Sequence, residues 1–289
     1  WWHFISPKAE EDMYSYDETS QTLEAAYRLH YHEAGEGPAL ILLHGSGPGV
    51  TGWTNFGANL PIFAEHFRTI ILDMPGFGGS ASPEYDQQYP PVAAEAVAMF
   101  MEGVGLDSAH LLGNSMGGNV ASHVALNYPD RVQRMVMMGP GGLAVNVFGP
   151  SPNEGAKRLI EFMGDPSRKR MVAWVRTMVS DQALVTDELI DLRMENAMKP
   201  GVMDSTRAIF GTFFKFPDPT PLWSRANEIQ HPTLITWGRD DRMLPFEGAL
   251  FPFRQMPNAD LHVFSNCGHW AQVERKDDFE RVVIDYLLG

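Results

Sequence analysis

The residues best suited to chemistry lie in the pentapeptide G-N-S-M-G, at positions 113–117. A short apolar run precedes it and a helical pattern follows it, so Ser115 stands at a tight turn between a strand and a helix. Such a turn leaves little room for flanking side chains, which explains Gly113 and Gly117. It also holds the hydroxyl at a helix N-terminus, where the dipole favours developing negative charge. The pattern predicts that Ser115 is a nucleophile rather than an incidental serine in a glycine-rich turn.

A serine nucleophile needs a base, and the base needs an acid that orients it. Of the ten histidines, His269 lies in a tight turn between the last predicted strand and the last predicted helix, and it is the predicted base. Two adjacent aspartates, Asp240 and Asp241, follow another predicted strand. Adjacent side chains cannot both point the same way, so one is predicted to be the orienting acid and the other a solvated residue beside nearby arginines. The chain order serine, aspartate, histidine is that of the α/β-hydrolases.

A glycine-rich loop, H-G-S-G-P-G at positions 44–49, follows an early predicted strand. Its three glycines let backbone N–H groups come close to a ligand. We therefore predict an oxyanion hole formed by the N–H groups of Ser46 and of Met116, the residue after the nucleophile. A phosphate-binding loop is disfavoured because no G-K-[ST] follows. The turn D-M-P-G-F-G-G-S, at positions 73–80, is predicted to be structural.

Two other histidines, His30 and His32, alternate on one predicted strand face and suggest a metal pair. No carboxylate cluster joins them in the sequence, and ligands are not grouped at zinc-type spacings. His110 and His123 lie on apolar elements and are predicted to be core residues. We therefore expect neither a metal nor an organic cofactor.

These groups must be positioned by an alternation of short apolar runs and helical patterns. The predicted strands are residues 39–43, 69–72, 110–112, 135–138, 233–236 and 261–264. The predicted helices outside the middle of the chain are residues 92–104, 116–127, 247–255 and 277–288. Short, wholly apolar strands are buried on both faces, so the pattern predicts an α/β fold with a mostly parallel sheet flanked by helices.

The alternation stops in the middle of the chain, where four helical patterns follow one another and seven prolines punctuate them. We predict a core formed by residues 1–144 and 223–289, with a helical insertion at residues 145–222, here called the lid. An insertion at this place commonly covers the carboxyl edge of the sheet, where ligands bind. A helical decoration that only covers core is the alternative.

Composition excludes several classes of protein. The 289 residues include 22 Lys and Arg against 36 Asp and Glu, a net charge of −14, which argues against a nucleic-acid partner. The hydrophobic content of 44% excludes a disordered chain. Cys267 is the only cysteine, so no intrachain disulfide can form and a reducing cytoplasm fits best. No continuous apolar spanning segment is visible, so no membrane partner is expected.

The motifs together resemble those of the meta-cleavage-product hydrolases, which are α/β-hydrolases that split carbon–carbon bonds in bacterial degradation of aromatic rings. The likeness extends from about residue 27 onward. It rests on the loop at 44–49, W-T-N-F at 53–56, the turn at 73–80, G-N-S-M-G-G at 113–118, M-G-P-G-G at 138–142, L-R-M-E-N at 192–196, W-G-R-D-D-R at 237–242 and C-G-H-W-A-Q at 267–272. One departure is Ser46, where several members have glycine, although a backbone donor survives that change.

The resemblance implies roles for particular residues. The family places its acid third after the glycine of G-x-x-D, which makes Asp241 the orienting acid and gives the triad Ser115, Asp241 and His269. Residues that the resemblance places around the polar end of the substrate are Asn55, Asn114, Arg193 and Trp270. Gly47 of the glycine-rich loop, Met178 of the lid and Trp223, the first residue after the lid, complete the predicted substrate contacts. Related hydrolases are usually homo-oligomers, which is the expectation here.

The implied substrate is a 2-hydroxy-6-oxohexa-2,4-dienoate, an anion whose carboxylate needs a partner such as Arg193. Ketonisation must come first to supply an electron sink; attack at the distal carbonyl then releases 2-hydroxypenta-2,4-dienoate and a carboxylic acid. The large apolar residues of the lid favour a 6-phenyl substrate, as in biphenyl or dibenzofuran breakdown, which releases benzoate. A 6-alkyl dienoate, an ordinary carboxylesterase reaction and a non-enzymatic ligand-binding role are the alternatives.

Overall fold

The computed structural model describes residues 14–145 and 153–289, and eight strands within them form one sheet. In chain order the strands are β1 (Ser20–Glu24), β2 (Arg28–Ala34), β3 (Ala39–Leu43), β4 (Arg68–Leu72), β5 (Ala109–Asn114), β6 (Val132–Met138), β7 (Thr233–Gly238) and β8 (Ala259–Phe264). They lie in the order β1-β2-β4-β3-β5-β6-β7-β8. The strands β3 to β8 pair in parallel, whereas β2 is antiparallel to both of its neighbours. The predicted α/β fold with a mostly parallel sheet is confirmed.

The α-helices of the described residues are numbered in chain order. They are α1 (Tyr16–Thr19), α2 (Gly52–Phe56), α3 (Leu60–Ala64), α4 (Tyr89–Gly103), α5 (Met116–Asn127), α6 (Glu154–Gly164), α7 (Arg168–Met178), α8 (Asp187–Ala197), α9 (Val202–Lys215), α10 (Leu250–Gln255), α11 (Ala271–Glu274) and α12 (Lys276–Leu288). None of these helices is long and apolar enough to cross a membrane.

Apolar side chains on the two faces of the sheet form two separate cores. Every residue of β3 is buried, and successive residues of a strand point to opposite faces. Ile41 and Leu43 therefore join the core covered by α4 and α5, whereas Leu40 and Leu42 join the core covered by α3 and α12. This double burial explains why β3 is a continuous apolar run in the sequence.

The lid helices α6 to α9 follow one another between β6 and β7 without an intervening strand in the described residues. They have a core of their own, in which the rings of Phe162 and Trp174 stack 6.0 Å apart. Trp270 and Met243, from loops after β8 and β7, pack against this core. The lid therefore rests on the loops at the carboxyl ends of the strands. Residues 1–13 of the predicted core and 146–152 of the predicted lid lie outside the described residues.

Candidate active site

Ser115 lies at the junction of β5 and α5 with φ 52° and ψ −110°, a conformation that residues with side chains rarely adopt. The glycines on either side permit the turn. A Cβ on Gly113 would collide with the backbone of Gly117, and a Cβ on Gly117 would collide with the carbonyl of Leu43. The Ser115 carbonyl accepts a hydrogen bond from the Gly141 N–H at 2.8 Å, which helps to hold the turn. This is the geometry of a nucleophile elbow.

His269 and Asp241 form a buried pair, in which Nδ1 of the histidine lies 2.6 Å from Oδ2 of the aspartate. The second carboxylate oxygen, Oδ1, accepts from the N–H groups of Met243 at 2.8 Å and Leu244 at 2.9 Å. Because a carboxylate only accepts hydrogen bonds, Nδ1 carries the proton and the lone pair is on Nε2. Nε2 has no hydrogen-bond partner among the described residues, so it is available as a base in the cavity that His269 and Ser115 both line.

Asp240, the other candidate acid, points away from His269. Its carboxylate accepts a hydrogen bond from Oγ of Ser180 at 3.2 Å and lies 3.3 Å from Nε of Arg239. It is half-exposed, whereas Asp241 is buried. The structure thus joins Asp241, and not Asp240, to the histidine.

The two predicted oxyanion donors flank the serine. A Cβ on Gly45 would lie 3.5 Å from the Cβ of Ser115, so the loop that carries Ser46 runs beside the nucleophile. Oδ1 of Asn55 accepts a hydrogen bond from the Gly45 N–H at 2.8 Å and fixes this part of the loop. Met116 is the first residue of α5, and the first N–H groups of a helix have no acceptor within it. Both positions are therefore suited to bind an oxyanion near Ser115.

The nucleophile, the histidine and the loop line a cavity of about 210 Å³ beneath the lid. Its polar lining residues include Ser46, Thr54, Asn55, Asn114, Ser115, Arg193, His269 and Gln272. Its apolar lining residues include Val50, Met178, Val179, Ala183, Leu184, Leu189, Leu192, Met243 and Val273, together with the amphipathic Trp270. The cavity can therefore hold a small molecule that is polar in one part and apolar in another.

Arg193 is a partly buried cation of the cavity that forms no salt bridge within the described residues, and its Nε has no hydrogen-bond partner there. The guanidinium lies between two indole rings, 5.0 Å from the ring centre of Trp174 and 5.0 Å from that of Trp270. Asp191, a possible partner on the same helix, pairs instead with Arg168 at 3.1 Å. Burial lowers the pKa of Arg193 to about 10, so it stays charged at neutral pH. An unpaired cation in a cavity favours an anionic ligand.

Two predicted substrate contacts lie outside the cavity. Gly47 has φ 142°, and a Cβ there would lie 2.6 Å from Cη2 of Trp174, so this glycine lets the loop pack closely against the lid. Trp223 lies in the short 3-10 helix Leu222–Glu228, where it is 36% exposed and packs edge-on against Phe251 at 5.6 Å. Neither residue is among those that line the cavity, and their contact with the substrate stays a prediction.

Two cavity residues, Gln272 and Glu188, are not among the predicted site residues. Gln272 follows His269 by three residues in the same motif, and its buried Oε1 has no partner in the described residues. Glu188 precedes Arg193 by five residues on α8, and the helical spacing of the lining residues could have identified it.

The turn at residues 73–80 has a structural role. The buried carboxylate of Asp73 accepts from the N–H groups of Gly52 at 2.7 Å and Gly79 at 2.9 Å. It also lies 2.7 Å from Nδ1 of His30, so one carboxylate does join the histidine pair of β2. Within the described part of the chain, no three His, Cys, Asp or Glu side chains are grouped so that they could hold a metal ion.

Comparison with known proteins identifies the family. Residues 38–276 match the family described as the alpha/beta hydrolase fold. A 2-hydroxy-6-oxo-6-phenylhexa-2,4-dienoate hydrolase from Burkholderia cepacia is 41% identical over 270 residues, which cover 91% of this chain and 92% of the relative. The chain belongs to the meta-cleavage-product hydrolases. It is therefore an enzyme of the hydrolase class, as predicted.

Two further relatives show the breadth of this family. A 2-hydroxy-6-oxononadienedioate/2-hydroxy-6-oxononatrienedioate hydrolase from Comamonas testosteroni is 40% identical, over 91% of this chain and 92% of the relative. A solved structure of a meta-cleavage product hydrolase from Pseudomonas fluorescens IP01 has a TM-score of 0.81 at 33% identity, and covers 92% of this chain and 97% of that one. The relatives from Burkholderia cepacia and Comamonas testosteroni are named for substrates that differ in the group attached to carbon 6, which membership of the family leaves open.

Proposed function

We propose that this enzyme hydrolyses the C5–C6 bond of 2-hydroxy-6-oxo-6-phenylhexa-2,4-dienoate to 2-hydroxypenta-2,4-dienoate and benzoate. The observation that carries the proposal is Arg193, which forms no salt bridge within residues 14–145 and 153–289 and lies in a cavity that Ser115 and His269 also line. A simple neutral ester has no carboxylate for this cation, whereas a dienoate has one. The favourable contact of a guanidinium with a carboxylate makes Arg193 the proposed anchor for the substrate.

The proposed 6-phenyl group matches the remaining lining residues. Val179, Leu184, Leu189 and Val273 offer an apolar surface on which a phenyl ring loses contact with water. Arg193 is the only Lys or Arg among the cavity residues that the structure describes. A second carboxylate on the carbon 6 substituent would thus lack a cation, which favours phenyl over the dienedioates of other relatives.

The proposed chemistry uses the triad in two stages. With the carboxylate on Arg193, the 2-hydroxyl loses its proton and carbon 5 gains one, which turns the dienol into a diketone. Ser115 or a water molecule directed by it then adds to the carbonyl at carbon 6, and Nε2 of His269 takes the proton. The oxyanion is held by the N–H groups of Ser46 and Met116. Cleavage sends the C5–C6 electron pair into the conjugated ketone, and the oxygen on carbon 2 takes the proton held by His269 to give 2-hydroxypenta-2,4-dienoate. If water is the group that adds, cleavage releases benzoate directly; if Ser115 adds, water then hydrolyses the benzoyl ester to benzoate.

The experiment compares wild-type enzyme with Arg193→Gln on the coloured 6-phenyl dienoate and on a neutral aryl ester. Wild type should remove the colour and form benzoate, and Ser115→Ala should not. A charge-assisted hydrogen bond is worth about 1.5–3 kcal/mol, so Arg193→Gln should lower kcat/KM for the dienoate roughly ten- to a hundredfold. The ester, which has no carboxylate, should lose little.

The matched control is Arg168→Gln, because Arg168 is a lid arginine that pairs with Asp187 and Asp191 and does not line the cavity. It should leave both substrates nearly unaffected. Ester hydrolysis with the dienoate untouched would make the protein a carboxylesterase. Equal losses of both activities in Arg193→Gln, or a fall in Tm that explains them, would assign Arg193 to support of the lid.

We further propose that the enzyme acts in the cytoplasm as a homo-oligomer, in the breakdown of biphenyl or dibenzofuran. The proposal is supported by the resemblance to the family and by the absence of any cysteine pair in the sequence. Light scattering on the purified protein measures the mass in solution; a monomer mass at micromolar concentration contradicts the oligomer.

A further inference from the structure

One face of α8 forms a wall of the cavity, and its charges are arranged in a definite order. The lining residues of this helix are Glu188, Leu189, Leu192 and Arg193. Residues three and four apart share a helix face, so the two leucines lie between the two charges. Five residues span about 7.5 Å of helix, at about 1.5 Å per residue. Along the wall the order is therefore anion, apolar surface, cation.

Glu188 has no neutralising partner in the described residues. Within residues 14–145 and 153–289 it forms no ion pair, and Arg168 of the lid is paired with Asp187 at 2.6 Å and with Asp191 at 3.1 Å. It lies in the first turn of α8, where the helix dipole favours a negative charge. The side chain is exposed, so it belongs to the open side of the cavity. Glu188 thus adds negative charge to the cavity while Arg193 adds positive charge.

We infer that Glu188 selects monoanionic dienoates against dienedioates, an inference that rests on the proposed function. A substrate whose carboxylate lies on Arg193 extends its carbon 6 substituent over the apolar part of the cavity. A phenyl or alkyl substituent meets no charge penalty there. A substituent that ends in a carboxylate meets an anion and no second cation, and repulsion of this kind excludes the wrong substrate without adding contacts to the right one.

The repulsion between Glu188 and a second carboxylate of the substrate is electrostatic and partly screened. An exposed charge interacts through water, with a screening length of about 8 Å at physiological ionic strength. The discrimination that depends on Glu188 should therefore be moderate, about three- to tenfold, and should shrink as salt is added. A steric barrier to the longer substituent would not respond to salt.

The test measures kcat/KM for the 6-phenyl dienoate and for 2-hydroxy-6-oxononadienedioate with wild type, Glu188→Gln and Glu195→Gln. Glu195 is the matched control, because it is an exposed glutamate of the same helix that does not line the cavity. Wild type should prefer the 6-phenyl substrate. Glu188→Gln should raise the dienedioate-to-phenyl ratio about three- to tenfold, Glu195→Gln should not, and 0.5 M NaCl should raise the wild-type ratio toward that of Glu188→Gln.

Several results overturn the inference. A wild-type preference for the dienedioate contradicts it directly, as does a Glu188→Gln ratio equal to that of wild type or of Glu195→Gln. Turnover of the 6-phenyl dienoate by wild type establishes the proposed function independently, so an unchanged ratio then removes only the role of Glu188. If wild type cleaves neither dienoate, the proposed function fails and this inference fails with it.

Discussion

The backbone at Ser115 is held in a conformation that costs about 1–3 kcal/mol for a residue with a side chain. The surrounding turn tolerates this cost because glycines at two flanking positions remove the collisions that side chains would cause. Glycine spacing is a local property, which is why the sequence predicts this turn. The choice between Asp240 and Asp241 is different, since both follow β7 and only the path of the loop decides which one meets His269. The family pattern favours Asp241, and in the folded structure Asp241 is the residue that pairs with His269.

Replacement of Asp241 by asparagine tests this assignment. The amide has an N–H donor and one oxygen, so it no longer fixes the imidazole with its proton on Nδ1 and its lone pair on Nε2. We expect kcat to fall by about 10⁴, the scale of loss when an orienting acid becomes an amide. Asp240→Asn should lower kcat by no more than about threefold, because its partners are Ser180 and Arg239 at a half-exposed site. Steady-state kinetics with both variants measure this, and the opposite ranking would transfer the role to Asp240.

At the scale of elements, the six apolar strands predicted from the sequence are confirmed as β3 to β8, with ends that differ by no more than three residues. The strand β2 is predicted only through the alternation of His30 and His32, and β1 is not predicted. Most residues of β1 are exposed, and this strand lies at the edge of the sheet, so it needs no apolar run. Burial on both faces gives the central strands their pattern, and an edge strand lacks that pattern because it lacks that burial.

The connection between lid and base is also invisible in the sequence, because its partners lie far apart along the chain. The carboxylate of Glu274 accepts from the N–H groups of Gly268 at 2.6 Å, Ser180 at 2.7 Å and Asp181 at 2.9 Å. The His269 N–H donates to the Met178 carbonyl at 2.7 Å. The end of α7 and the loop that carries the base are thus held together by one half-buried carboxylate and one backbone hydrogen bond. Glu274 acts through this contact as a positioning residue.

Glu274→Gln should weaken catalysis through His269. The amide places an N–H group where a carboxylate oxygen accepts, so at least one of the three N–H groups loses its acceptor, at about 1–3 kcal/mol. We expect kcat to fall about tenfold or more on both the dienoate and a neutral ester, because both reactions need the same base. The pH dependence of kcat should shift as well, since the surroundings of the imidazole change.

The matched control for Glu274 is Glu280→Gln. Glu280 is a buried glutamate of α12 that contacts Asn59 at 2.8 Å and Lys276 at 2.8 Å, and it does not line the cavity. It should lower Tm without a shift in the pH profile. An equal loss of kcat in both variants, in proportion to their Tm, would mean that Glu274 contributes stability alone.

At the scale of the whole molecule, the sequence predicts the fold and the family but not the complete composition of the cavity. Met178 of the predicted lid and Trp223, the first residue after it, are both large apolar residues, yet only Met178 lines the cavity. Met178 is held beside the base by its carbonyl, whereas Trp223 packs on the outside against Phe251. How the lid packs on the loops at the end of the sheet depends on contacts such as that between Gly47 and Trp174, and these join segments that are distant in sequence.

Buried neutral histidines should make the stability of the whole molecule depend on pH. Burial, reinforced by the neighbouring His30, lowers the pKa of His32 from 6.5 to about 4, and burial lowers the pKa of His123 to about 4. In the unfolded chain both titrate near pH 6.5. Between about pH 4 and pH 6.5 the unfolded state binds protons that the folded state does not bind. The contribution of the two neutral histidines to the free energy of unfolding is therefore complete above about pH 6.5 and is lost as the pH falls toward 4. The loss reaches about 3 kcal/mol for each histidine.

Chemical unfolding between pH 7 and 4.5 measures this dependence, with His32→Asn as the test variant. Asparagine can still donate to the Thr19 hydroxyl, which lies 3.0 Å from Nδ1 of His32, but it does not titrate. The free energy of unfolding of wild type should fall with decreasing pH, and His32→Asn should remove up to about 1.4 kcal/mol per pH unit of that slope.

Burial raises the pKa of Glu274 and of Glu280, which opposes the trend in both proteins equally and so leaves the difference between them intact. The exposed His66 provides the control, since His66→Gln should keep the wild-type slope. If His32→Asn and His66→Gln have the same slope as wild type, protonation of His32 does not limit the stability of the fold in acid.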